Sequence, residues 1–267
     1  MPKRKRFPWI IFLGFSGIVI FLFRTELLNS FQRQILNSIR EKAFVSNHFF
    51  IQGNGSPNHL IYSLRGLDRI WPHRVNSLRR LKYLYNNFAG FECDVRFDAI
   101  SSQLFVAHDP EDLSSLVFSD FLLQEGKAHK LFWLDLKNLE AVNTEAFCRL
   151  LERLDKKFLI KNRIIIESPN FEALEQVRQQ GWLTSYYMPA ENVALDYHLP
   201  SILKDQPGLI SQDISMHDFM TKNFPGKKQL IWDLRFWDCM SRKTLLKNAN
   251  DTTVLVCLIN VKSPGYR

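Results

Sequence analysis

From residue 58 onward, short apolar runs recur at regular intervals with amphipathic stretches between them. This rhythm constrains the fold more than any other property of the sequence. The runs at 69–73, 90–97, 131–136, 163–167, 184–188, 208–212, 229–234 and 254–259 read as strands, bounded by turn and cap residues. A further short run at 104–107 follows a turn at 99–103 and reads as an extra strand. Helical spacing over 77–86 places Leu78, Leu81, Leu84 and Tyr85 on one face. The spacing over 144–158 repeats Phe147, Leu150, Leu151, Leu154 and Phe158, with Asn143 or Thr144 as N-cap. A helix over 170–180 begins after Pro169 and stops at Gly181. Weaker helices are expected at 192–205, 215–223 and 240–248.

Eight strands alternating with helices predict a parallel α/β domain. The count fits a small (β/α)8 TIM barrel better than an open doubly wound sheet. No Gly-rich loop follows the first strand, so nothing supports a dinucleotide-binding or P-loop site. The hydrophobic fraction of 46% is enough for a sizeable core. The net charge of +8 is half local, because Lys3, Arg4, Lys5 and Arg6 supply four of those charges. Elsewhere there is no basic block, so no nucleic-acid partner is expected. Cys93, Cys148, Cys239 and Cys257 have no zinc-motif spacing, and three of them lie in apolar segments as small hydrophobes.

Ahead of the barrel, a basic flank at 1–6 precedes the apolar run PWIIFLGFSGIVIFLF. No small-residue cleavage pattern follows it, so residues 7–28 are expected to be an uncleaved transmembrane signal anchor. The basic flank would stay in the cytoplasm and the remainder would face the periplasmic or lumenal side. Residues 29–57 form a linker with helical spacing at Leu28, Phe31, Ile35 and Ile39, either packed on the main domain or lying on the membrane surface. The barrel is then 58–267.

In a barrel, catalytic groups sit at the C-terminal ends of strands. His73 ends the first strand, and Glu92 and Asp94 alternate on one face of the second. Asp135 is near the end of the third, and His108 follows the extra strand. All five are expected on one rim. Three carboxylates suit a divalent cation, Mg²⁺ or Ca²⁺. A Glu-x-Asp alternation is also what a half-exposed strand looks like; the flanking His-Arg and His-Asp argue against that here. Imidazole titrates near neutral pH, so His73 and His108 can act as an acid/base or nucleophile/acid pair. Arg74 and Lys137 offer cationic donors to a phosphate, although Lys137 could equally be a solvated strand-end charge. Asn76 either supports the site or caps the following helix.

The order His-Arg-x-Asn, Glu-x-Asp, His-Asp and Asp-x-Lys over residues 69–138 resembles the glycerophosphodiester phosphodiesterases and their TIM-barrel, phospholipase-C-like relatives. That resemblance implies phosphodiester hydrolysis by the pair His73 and His108. It implies a divalent cation on Glu92, Asp94 and Asp135, and phosphate contacts from Arg74 and Lys137. Three positions depart from the family: Val75 stands where Gly is usual, Asp135 where Glu is usual, and the gap from His108 to Asp135 is short. In these respects the segment HRVNSLRRLKYLYNNFAGFECDVRFD is similar to the spider-venom-type phospholipase D branch, without that branch's cysteines around the second His. The short gap and the Asp are shared with the menorin-type family. The expectation is a membrane-anchored hydrolase of glycerophosphodiesters or (lyso)phospholipids. The alternatives are a catalytically inactive barrel that binds or assembles at the membrane, and a metal-independent phospholipase C.

Overall fold

A computed structural model of the chain describes residues 60–112, 115–124, 130–188, 209–213, 220–222, 226–234 and 253–261. The expected basic flank, membrane anchor and linker, the weak helices at 192–205 and 240–248, and most of the one at 215–223 lie outside the described residues. Among the described residues no helix is long and apolar enough to cross a membrane.

All nine expected strands form. They are β1 (Ile70–Pro72), β2 (Gly90–Asp98), β3 (Gln103–Val106), β4 (Leu131–Leu136), β5 (Ile164–Ser168), β6 (Thr184–Tyr187), β7 (Leu209–Asp213), β8 (Gln229–Leu234) and β9 (Val254–Ile259). Their order in the sheet is β1-β9-β8-β7-β6-β5-β4-β2-β3. Every pairing is parallel except β2 with β3, a hairpin on the outer half of the long second strand. The Asp98 carboxylate holds the hairpin's turn by accepting from the Ile100 and Ser101 N–H groups at 3.2 and 3.1 Å.

The two parallel ends of the ladder, β1 and β2, lie against each other. Val75 N–H, just past β1, donates to Glu92 O at 2.8 Å. Gly90 sits so close to the Trp71 ring that a Cβ there would lie 2.4 Å from it. The nine-stranded sheet thus fits a (β/α)8 barrel, with β3 added outside the ring. Gly90→Ala forces the Trp71 indole out of this contact and should lower the unfolding free energy by about 1–3 kcal/mol. An unchanged urea midpoint would show that the seam tolerates a side chain.

Alternate residues of the same strands enter two cores. Trp71, Leu131, Trp133, Ile165, Leu183, Leu209, Leu230 and Leu258 pack together inside the sheet, with Ile61 and Leu64 from the segment ahead of β1. Phe91, Cys93, Val95, Phe132, Leu134, Ile164 and Ile166 pack on its other face. There they meet Leu81 and Leu84 of α1 (Leu78–Leu84), Phe118 and Phe121 of α2 (Phe118–Leu123), Phe147 and Leu151 of α3 (Ala141–Phe158), and Leu174 and Val177 of α4 (Phe171–Gln179). Burial on both faces explains the near-continuous apolar character of the strands.

Helix α3 begins earlier than its spacing suggests. Its N-cap is Glu140, not Asn143 or Thr144. Asn143 lies inside the first turn, its Oδ1 accepting from Glu140 N–H at 2.9 Å, and the Thr144 hydroxyl donates to Glu140 O. These side chains bond back to the cap backbone, which made them look like caps themselves.

Candidate active site

The C-terminal edge of the sheet surrounds a cavity of about 260 Å³ lined by His73, Arg74, Glu92, Asp94, His108, Asp135 and Lys137, among others. Seven of the eight expected site residues therefore face one space. The eighth, Asn76, lies behind it: its amide donates to Asp94 Oδ2 at 2.6 Å, and its Oδ1 accepts from Asp94 N–H at 3.0 Å. Asn76 supports the site and does not cap α1. That cap is Ser77, whose hydroxyl accepts from Arg80 N–H at 3.2 Å.

Each side chain is placed by backbone. His73 extends β1, and its N–H donates to Ile259 O at 2.9 Å. Its Nδ1 lies 3.2 Å from Asn260 Oδ1 and its Nε2 lies 3.6 Å from Glu92 Oε2. Behind it the fully buried Arg80 guanidinium donates to His73 O at 3.0 Å and to Val261 O at 2.8 Å. One cation thereby clamps the ends of the first and last strands side by side. Arg74 follows at φ +55°, a conformation that L-residues avoid, and its N–H donates to Glu92 Oε2. His108 comes off β3: the preceding Ala107 N–H donates to Asp94 O, Arg96 donates to His108 O at 3.2 Å, and its Nδ1 is 2.9 Å from Asp109 Oδ1.

The acids are arranged by register. Asp94, Asp135 and Glu167 are successive Cα partners across β2, β4 and β5. Burial, then the charges of Asp94 and Asp135, push the Glu92 carboxyl well above its ordinary range. Burial, then Asp94, raises Asp135 despite Lys137. Asp94 is the exception. Burial pushes it up, but the Lys137 charge and hydrogen bonds from Asn76 and Lys137 bring it below the usual carboxylate range. Lys137 Nζ sits 3.0 Å from Asp94 Oδ1 and in contact with Asp135 Oδ2. Against burial, those two carboxylates hold it above its ordinary range, so it is fully charged. Its first partners are thus the acids, and a phosphate would share it with them.

Among the described residues, Glu92, Asp94 and Asp135 each offer an oxygen within 4.8 Å of the others. A single cation with bonds of roughly 2.0–2.6 Å spaces its ligands by about that much. Glu92 Oε1 is buried without a hydrogen-bond partner, as a ligand oxygen awaiting a cation would be. Three hard carboxylates around one lysine fit a divalent ion, and these are the residues that would hold it.

No protein-family model matches this sequence, and no curated protein sequence does. Solved structures do. A protein from Silicibacter pomeroyi assigned as a glycerophosphoryl diester phosphodiesterase superposes with a TM-score of 0.57 at 13% identity, covering 75% of this chain and 93% of that one. A glycerophosphodiester phosphodiesterase from Parabacteroides distasonis gives 0.53 at 18% identity over 73% and 93%. A phosphodiesterase from Oleispira antarctica, in complex with the product sn-glycerol-3-phosphate, gives 0.54 at 13% identity over 74% and 94%. The fold is that of the glycerophosphodiester phosphodiesterases.

On this glycerophosphodiester phosphodiesterase fold, the cavity also draws on residues that sequence reasoning passed over. Glu167, Trp133, Tyr187, Trp232 and Asn260 line it as well. Two of them had a signal. Glu167 follows the run Ile164-Ile165-Ile166, as Asp135 follows Phe132-Trp133-Leu134, and Asn260 directly follows the apolar β9. The aromatic residues had none, because inward and outward rings look alike in a strand buried on both faces.

Proposed function

We propose that this chain hydrolyses phosphodiesters, with a divalent cation on Glu92, Asp94 and Asp135 and with His73 and His108 handling the protons. The observation that supports it most is the meeting of both histidines, three acids, Arg74 and Lys137 at one cavity of a glycerophosphodiester phosphodiesterase fold. The cation, when bound, would neutralise phosphate charge and polarise the P–O bonds.

The protein groups divide the remaining work. With Asn260 Oδ1 accepting, His73 carries its proton on Nδ1 and keeps a lone pair on Nε2. His73 Nε2 is then the group that takes the proton from the attacking oxygen, or attacks phosphorus itself. His108, beside the Asp109 carboxylate, holds a proton on Nδ1 and gives one to the departing alkoxide. Arg74 and Lys137 hold the non-bridging oxygens as negative charge grows. With water as attacker the products are a phosphomonoester and an alcohol. With an internal hydroxyl, as the likeness to the spider-venom-type branch suggests, the product is a cyclic phosphate and the alcohol.

Glycerophosphodiesters and lysophospholipids are the proposed substrates. The basic and apolar N-terminal segment would hold the cavity at a membrane, on the side away from the cytoplasm. A phosphodiester screen on the purified chain, with and without Mg²⁺ and Ca²⁺, tests the reading; no turnover of any diester would overturn it. Asn260→Ala frees the His73 ring and is expected to lower kcat by about tenfold to a hundredfold with little change in KM. A change confined to KM would assign Asn260 to substrate binding instead.

A further inference from the structure

Glu167 is the acid of the cavity that the proposed chemistry leaves unused. It is only 2% exposed, it lines the cavity, and its Oε2 has no hydrogen-bond partner. It stands one rung beyond Asp135 in the sheet, outside the group of acids whose oxygens gather closely enough for one cation. A buried carboxyl oxygen without a partner is costly unless something enters to satisfy it.

The neighbours indicate what would enter. The indole N–H groups of Trp133 and Trp232, also cavity residues, are buried and lack hydrogen-bond partners. Burial, then the Asp135 charge, holds the Glu167 carboxyl well above its ordinary range, with Ser211, Lys137 and Trp133 beside it opposing only in part, and the Trp133 N–H does not reach hydrogen-bond geometry. Tyr187 stacks on Trp232 at 5.4 Å between ring centres and 12° between planes, giving a flat apolar face beside these polar atoms. A metal ion would need acceptors alone. A quaternary ammonium has no N–H to give the carboxyl and could not accept from an indole. A hydroxyl both donates and accepts, so it satisfies free acceptors and free donors together, while neighbouring C–H groups pack on the rings.

Building on the phosphodiesterase reading, we propose that Glu167 is a specificity-determining residue. It accepts a hydrogen bond from a free hydroxyl on the alcohol portion of the substrate, so that the cavity prefers small polyol phosphodiesters over choline-type or hydroxyl-free ones.

Binding tests this without turnover. The full chain, with Mg²⁺ or Ca²⁺ present, is titrated calorimetrically with sn-glycerol 3-phosphate, methyl phosphate and phosphocholine. The wild type is expected to prefer glycerol 3-phosphate over methyl phosphate by about tenfold, the upper range of one hydrogen bond. Glu167→Leu should erase that preference while leaving methyl phosphate affinity nearly unchanged, and Glu167→Gln, which keeps a neutral acceptor, should retain part of it. Equal losses for both ligands, an effect confined to phosphocholine, or no effect overturns the proposal. Thermal melts check folding; if the Leu variant unfolds, the near-isosteric Gln variant decides alone. A wild type that hydrolyses diesters but shows no preference for glycerol 3-phosphate, or a Leu variant that keeps the preference, refutes only the role of Glu167. An intact preference in a protein that hydrolyses nothing refutes only the catalytic reading.

Discussion

His73→Ala is expected to lower diester turnover by about a hundredfold to ten-thousandfold, the range of a positioned acid/base group, and His108→Ala by a similar factor. The double variant should be little worse than either single one, because the two histidines serve the same transfer. Neither change should unfold the protein. The His73 side chain is partly exposed and the His108 side chain more so, and no core contact depends on either. Steady-state kinetics with matched melting curves would check both points. Full activity in both single variants would remove the histidines from the mechanism and leave the fold likeness without its chemistry.

Removing the divalent cation should have the second large effect, on activity and stability together. Chelation is expected to stop turnover and to lower the melting temperature, and the stability loss should depend on pH. Glu92, Asp135 and Glu167 are raised chiefly by burial, with neighbouring negative charge adding to it. An acid held above its unfolded value stabilises the fold at low pH, and that stabilisation disappears as pH rises through its folded value. Asp94 runs the other way, adding stability above the ordinary carboxylate range and losing it only in strong acid. Three groups outweigh one, so the cation-free protein should weaken as pH rises through the range above ordinary carboxylate titration. A bound cation relieves the charge that accumulates there. At a concentration a hundred times its Kd it adds about 2.7 kcal/mol. The gain in melting temperature on adding Ca²⁺ or Mg²⁺ should therefore be larger at the upper end of that range. An equal gain at both ends would count against binding at these acids.

Much of this was legible in residues 69–138, and the reason is local. Glu92 and Asp94 share a face because strand side chains alternate, and Asp135 meets them because β4 follows β2 in the parallel order. What was hidden depends on contacts far apart in sequence. Asn76 had two possible roles until Asp94 was seen between its amide atoms. Asn260 bears on His73 across a separation of 187 residues, a relation that exists only once β9 lies beside β1. Glu167 read as the end of a strand because Pro169 and Asn170 start the next helix directly after it. Helix α2 was missed because six residues are too few to establish a helical period.

The pairing of the first strand with the last has a consequence for the protein's synthesis. A nascent chain carries both histidines, all the acids, Arg74 and Lys137 well before residue 260 has been made. Until β9 arrives, His73 has neither the strand that holds its backbone nor the Asn260 oxygen that fixes its ring, and Arg80 lacks the Val261 carbonyl it grips. On the phosphodiesterase reading, the growing polypeptide cannot complete the His73 side of its cavity until β9 arrives.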